Sequence, residues 1–573
     1  MARTIPPTFK CSALAAICAK ARKIRSSTRT RSAYCFKRFR NLQKPPSGGF
    51  FHLELSMLFA QSQLNVAALS APGVYTEIVA PPPVVAGAPT NGYGLVGVAS
   101  WGPVNSPFLV ASPTAAPSQV GPVTNRSHDL ATALAIAFAL GSYFNYCVRV
   151  TDATDVAALG ALKDTTTPTA VTGATLTGIY TGTLGNTISA TIGTGTAASS
   201  YKLTINMAGY APEVYDNLTG TGAVFWQNLV SAVNNGQSGV RGPSQLVVAT
   251  IGTATATPAQ ATITLSGGTD GTTGVTDTTL IGSNSTYPVT GMYALQASPI
   301  QTLNLVDHTT STAWSTIAAF GQQFGMFTGG QTAAGTSIAS TATALNTAGV
   351  DTPWFKCLVG DWVYWQDSVN NIQRLISPMN VWGPMRATLT PNQSTLNKQV
   401  LGIIGTQRSV AKQPYANGEL QAACLGRVDY LANPSAGGNY FSFQTDRNSS
   451  SQAATNSEAY TTMTNFLAAS LGGTTFGYII GNPQTPSMRA GVKDAMTAFL
   501  TGLWQPPTQY IGNVNQPTKV PFKITLDASN NPNNNVALGI MQVLVQVTYQ
   551  SIVRVFVIAL QGGQTVSVNV QNA

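Results

Sequence analysis

The chain has 573 residues, more than one ordinary hydrophobic core organises, so several domains are expected. Charged residues are only 9% of the total, against roughly 25% in typical soluble proteins, a surface poorly defended against association and suited to a subunit covered by its own copies. The net charge of +10 does not imply a nucleic-acid groove, because residues 1–56 hold twelve Lys/Arg and one acid, and the remaining 18 basic and 19 acidic residues leave the body at −1.

Residues 1–56 form a basic leader, densest from Lys20 to Arg40. Taken alone, such a segment suits a nucleic-acid arm or a transit peptide. The next stretch, 57–90, is expected to be an extended arm. Pro72 and Gly73 break any helix, and Pro81, Pro82 and Pro83 hold the backbone in polyproline-like geometry. Between them, Val74 to Val79 reads as a short strand with no hairpin partner nearby. Leu95 to Ala99 then begins a buried strand that Gly102-Pro103 ends.

This stretch, with PGVY, the acidic Glu77, a proline-rich link, GLVGVA and GPVNSP, resembles the N-terminal signature of contractile tail sheath proteins of bacteriophages. Such proteins commonly begin close to PGVY. Translation is therefore expected to start at Met57, making 1–56 an upstream extension absent from the mature protein.

Along the body, Ser127 can cap a helix of LATALAIAFAL closed by Gly141, and the strand YCVRV (146–150) follows. With the strand at 95–99 these make a β–α–β unit, the first part of an α/β core over 91–155. Residues 156–300 turn Thr- and Gly-rich, with alternating runs TISATI (187–192), YKLTINM (201–207), QLVVATI (245–251) and ATITL (261–265) between turn signals. They read as an antiparallel β domain inserted into that core. A secreted β-rich surface adhesin is the alternative for this composition, but neither a signal peptide nor a fixed repeat period is visible.

Residues 301–560 return to helical periodicity and are expected to complete the core. Helices are expected over Trp314–Phe327, Ser337–Ala348 and Ser457–Leu471, with another starting at Pro486-Ser487 and carrying Met488, Val492, Met496, Phe499 and Leu503 on one side. FKCLV and FGYIIG (476–481) read as core strands, and 541–558 as one long alternating strand. Residues 561–573 form a C-terminal arm, Gln561 to Gln564 being a hinge before an alternating strand of Val566, Val568 and Val570.

Enzymatic motifs lack their context. Gly92-Tyr-Gly94-Leu-Val-Gly97 satisfies GxGxxG, but a proline-rich segment precedes it and a Gly-Pro turn follows where a helix is needed, so no dinucleotide site is expected. Gly335-Thr-Ser337-Ile-Ala339 is similar to the nucleophile segment of subtilisin-like proteases, whose fold the sheath core is described as sharing. A triad needs a suitably placed base, and His52, His128 and His308 are the only histidines, so Ser337 reads as a helix N-cap. Neither metal-ligand spacing nor a P-loop occurs, and Cys147, Cys357 and Cys424 read as small buried apolar residues. No catalytic residue, cofactor or metal is expected.

The resemblance implies a mixed-sheet α/β sheath core built from N- and C-terminal parts, an inserted β-rich domain and extended terminal arms. It implies a structural homo-oligomer of stacked rings around an inner tail tube protein, joined to baseplate and tail terminator proteins. That assembly belongs to a virion tail, is built in the host cytoplasm, and makes no direct contact with nucleic acid or membrane. Val74, Tyr75, Glu77 and Val79 at one end, and Val566, Val568 and Val570 at the other, are the candidate strands exchanged between subunits.

Overall fold

A computed structural model of the chain describes residues 58–60, 75–77 and 85–558, apart from 240, 286 and 473. It divides into two units, 1–81 and 82–573. In the first, Leu58–Ala60 and Tyr75–Glu77 pair as parallel strands, with Leu58 opposite Tyr75 and Ala60 opposite Glu77. The strand at Tyr75 therefore has a partner close in sequence, contrary to expectation. A parallel pair is joined by a crossover, so no hairpin turn advertised it. The basic leader, the Met57 start, Val74, Val79 and the strand of Val566, Val568 and Val570 lie outside the described residues.

The second unit is organised by a mixed sheet. Gly92–Gly97 lies between two parallel neighbours, Thr302–Leu305 and Phe144–Arg149, and Phe108–Val110 adds antiparallel to the latter. Single bridges extend the row. Thr302 meets Phe327 at the head of Thr328–Gln331, which pairs in parallel with Phe355–Leu358, and Leu358 meets Asp429. Strands from both halves of the chain thus share one framework, giving a mixed α+β molecule. Parallel strands are covered on both faces, which is why GYGLVG is buried at all six positions. Tyr93, Leu95 and Cys147 pack with the Leu130–Ala139 helix, while Val96, Val148 and Leu303 pack with Trp314, Ile317 and Phe320 of the Trp314–Phe324 helix. The glycines of the GxGxxG run permit close chain approach: a Cβ on Gly92 would lie 2.1 Å from the Pro299 carbonyl oxygen.

Thr- and Gly-rich runs from residue 157 form two antiparallel sheets. One has the order Glu213–Leu218, Tyr201–Asn206, Ser189–Thr194, Thr262–Thr264, and the other Val247–Ile251, Thr172–Thr181, Ala157–Lys163. The Ala223–Asn235 helix contributes Phe225, Trp226 and Leu229 to a core shared with both sheets and with Trp101 from the framework. Leu280, Met292, Leu295 and Ile300 instead pack with the framework itself.

Three elements differ from expectation. Asp129, not Ser127, caps the Leu130–Ala139 helix, accepting from the Thr132 amide at 2.9 Å; an acidic cap two residues on outcompetes the serine, and Arg126 holds its carboxylate. FGYIIG is no strand: Thr474–Ile479 is a 3-10 helix, because an apolar run this short has no decisive period. The long strand over 541–558 is a strand only at Leu544–Val547.

Candidate functional site

The Glu458–Gly472 helix joins the framework to both ends of the described body. Its apolar positions Met463, Phe466 and Leu467 recur at helical spacing and pack with Val492, Met496 and Leu500 of the Pro486–Trp504 helix. Ile524 of the Phe522–Thr525 strand completes this C-terminal core.

The first residue of the helix is fixed by buried charge. Lys356, in the middle of its framework strand, places Nζ 2.7 Å from Asp429 and 2.7 Å from Glu458, and all three side chains are fully buried. Glu458 also accepts from Trp382 Nε1 at 2.9 Å, Ser394 Oγ at 3.0 Å and the Thr395 amide at 2.8 Å. Burial alone would raise its pKa. Lys356, Arg386 and these hydrogen bonds outweigh that and hold the carboxyl down at about 2. Burial pushes Asp429 up, with Lys356 opposing, whereas the two carboxylates overcome desolvation and push Lys356 up. A carboxylate in the first helical turn also meets the positive end of the helix dipole. The cluster ties helix to framework at one point.

The rest of the helix receives both ends of the described body. Val85 is buried in the C-terminal core, and the Ala88 amide donates to Ser470 Oγ at 2.8 Å. At the other end Tyr549 stacks against Tyr460 at 5.8 Å between ring centroids, with its hydroxyl 3.1 Å from that of Thr464. Beyond it the chain leaves the body: Val553, Val555, Phe556, Val557 and Ile558 are each more than 70% exposed. Among the described residues, no backbone hydrogen bond involves 551–558. Beside this exit lies a two-stranded antiparallel sheet, Phe522–Thr525 with Leu544–Val547, to which no third strand is paired among the described residues.

Of the sequence candidates, Tyr75 and Glu77 lie in the paired strand of the first unit, and the five valines fall outside the described residues. The exposed run from Val553 to Ile558 and its root on the helix were missed. The signal is present as five large apolar residues with one arginine, which the sequence presents as part of one long alternating strand. Ser337 does cap its helix, accepting from the Ser340 amide at 3.2 Å. Among the described residues, no group of three His, Cys, Asp or Glu side chains is placed to hold a metal, and no helix is long and apolar enough to cross a membrane.

No protein-family model and no curated protein matches the sequence. Solved structures do match. The sheath tail protein from Listeria innocua aligns at 14% identity and a TM-score of 0.54, covering 82% of this chain and 96% of that one. The sheath tail protein from Desulfitobacterium hafniense aligns at 14% identity and a TM-score of 0.50, covering 79% and 94%. This chain has the fold of the sheath tail proteins.

Proposed function

We propose that the chain is the structural subunit of a contractile tail sheath, polymerising in stacked rings around an inner tail tube. One observation carries the reading: an exposed apolar segment with no backbone hydrogen bonds among the described residues leaves the body next to a two-stranded sheet, in a chain of sheath tail fold. An unpaired strand of this composition is costly alone, and addition to a neighbour's sheet satisfies its backbone and its side chains together. Strand 565–570 completes the C-terminal sheet of an adjacent subunit, and strand 72–79, paired on one side with Leu58–Ala60, adds to such a sheet by its other edge, linking the rings into a mesh.

Assembly in an extended, metastable form would store the energy that repacking releases, as in other bistable interfaces. Contraction then drives the tube through the host envelope. The partners are further copies of the chain, the inner tube protein, and baseplate and tail terminator proteins. The setting is a virion tail built in the host cytoplasm, and no catalytic step is assigned to the chain. Residues 157–268 sit on the outside of the tube as decoration. Electron microscopy of the expressed protein tests the reading: hollow striated polymers are expected, and dispersed particles at high concentration would refute it.

A further inference from the structure

Arg554 stands out in both sequence and structure. It is the only charged residue after Asp527, and it lies inside the run IVRVFVI. Its Nε donates to both carboxylate oxygens of Asp446, at 2.8 and 2.9 Å, and its Nη2 donates to Asn456 Oδ1 at 3.0 Å. The Asp446 side chain is only 3% exposed and that of Arg554 34%, so the pair is largely shielded. Asp446 is itself rigidly held. Ser457 Oγ donates to its carboxylate at 2.9 Å, and its carbonyl accepts from the Glu458 amide at 2.9 Å. Glu458 is the residue pinned by Lys356, so the arginine is fastened to residues that border the start of the C-terminal helix.

Arg554 lies within a free run: among the described residues 551–558 make no backbone hydrogen bond, and Val553 just before it is 74% exposed. Tyr549 is held by Tyr460 and Thr464. Past Arg554, Val555 to Ile558 project both of their faces into solvent at 73% exposure or more. A strand exposed on both faces is covered only by insertion between two layers or addition to an edge with a lid, and a neighbouring copy of a low-charge, self-associating chain supplies that.

We infer that the Arg554–Asp446 ion pair is the anchor from which the C-terminal arm is aimed, a single side-chain tie that holds an otherwise free run against its own body and sets how it is available to a second copy. This rests on the sheath reading for its purpose, but the anchor itself is a property of the single subunit. Arg554 is thus a positioning residue. It makes no contact with the partner; it sets the direction and register in which Val555 and the residues after it are presented. Without it, the free segment lengthens back towards Tyr549, and strand addition loses the benefit of a preset arm.

Two measurements on the full chain test this. Replacing Arg554 alone strands a buried carboxylate, so the variant of choice is Asp446→Asn with Arg554→Met, which removes both charges, compared with Arg554→Lys, which keeps both charges but loses the guanidinium's several hydrogen bonds. Elastase, which cuts after small aliphatic residues, is expected to cleave the monomeric wild type after Val555 and Val557. In the double variant it should also cleave after Val553, about tenfold faster than in wild type, while Arg554→Lys falls between. Equal cleavage after Val553 in wild type and double variant would overturn the anchor. The second measurement is the concentration at which polymers appear by sedimentation, expected to rise at least tenfold in the double variant with the thermal transition of the body unchanged. An unaltered concentration and polymer length would overturn the aiming role. A wild type that never polymerises would count against the sheath reading, leaving the proteolysis result to decide the anchor.

Discussion

The inserted β domain and the C-terminal helical unit solve the problem of sheet edges in opposite ways. In the inserted domain two antiparallel sheets and the Ala223–Asn235 helix close around Phe225, Trp226, Leu203 and Leu176, all buried. Polar ties secure it to the framework: Arg149 donates to the Thr181 carbonyl, the Leu184 amide donates to the Ser100 carbonyl, and the Tyr210 hydroxyl donates to the Ser118 carbonyl. The C-terminal unit has a two-stranded sheet, an apolar segment in solvent and both chain exits on one helix. One region is finished within the subunit. The other carries unmet hydrogen-bonding and apolar demand, and that is where the proposed polymer would gain its energy.

The sharpest way to break this contrast is at the arm. Val568→Pro removes a backbone donor from the middle of the strand expected at 565–570 and should abolish long polymers while leaving a folded, soluble subunit. Normal tails from this variant, seen by electron microscopy, would mean that the strand at 565–570 does not hold the sheath together.

The next effect in size concerns the buried charges that pin the arm-bearing helix. Lys356→Met leaves Asp429 and Glu458 buried without their cation and should cost about 3–5 kcal/mol, read as a lower denaturant midpoint. The same cluster sets an acid limit. The carboxyl of Glu458 is depressed to about 2 in the folded chain, so its contribution is complete above its ordinary range near 4.5 and is lost as pH falls through about 2. Asp429 is shifted upward and so does not add to this acid loss. Stability measured between pH 5 and pH 2 should fall with decreasing pH, and Glu458→Gln should flatten that slope.

A smaller effect is expected in the inserted domain. A Cβ on Gly173 would lie 2.1 Å from the Trp226 ring, so Gly173→Ala should destabilise this domain by about 1–3 kcal/mol without changing polymer yield. Replacing 157–268 by a short Gly/Ser linker, together with Trp101→Ser, carries the test further. The deletion must stop there, because Leu280 to Ile300 belong to the framework core. A soluble deletion that cannot polymerise would refute the division into framework and decoration.

What the sequence revealed depended on the range of the interactions. Gly92–Gly97, Phe355–Leu358 and the Glu458–Gly472 helix were legible because burial on two faces or on one stripe leaves a local pattern. The alternating Thr/Gly runs marked the inserted strands for the same reason. The pairing of Tyr75 with Leu58 was not legible, since a parallel partner leaves no turn to find. Nor was the exposure of Val553 to Ile558, because an apolar segment left in solvent has the same composition as one buried in its own chain. The charged cluster of Lys356, Asp429 and Glu458 was invisible for a different reason: its members lie far apart in the chain, and nothing near each one marks it as paired.

The smallest expected effect is that of salt on assembled polymer. Ionic strength screens exposed charges beyond about 10 Å at 0.1 M and acts little on buried pairs. The pairs that hold this arm-bearing unit are shielded: Lys356, Asp429 and Glu458 are fully buried, and the carboxylate that receives Arg554 is 3% exposed. Charge is scarce elsewhere, at 9% of residues, and exposed pairs such as Arg408 with Glu419 are each worth at most about 1 kcal/mol. What remains between subunits is backbone pairing and apolar packing, which salt leaves intact or strengthens. Polymer formed at low salt should therefore survive transfer to molar salt at neutral pH, with sedimentation and striation unchanged. Disassembly on that transfer would show that ion pairs between subunits carry the sheath, and that the C-terminal unit is completed by charge rather than by strands.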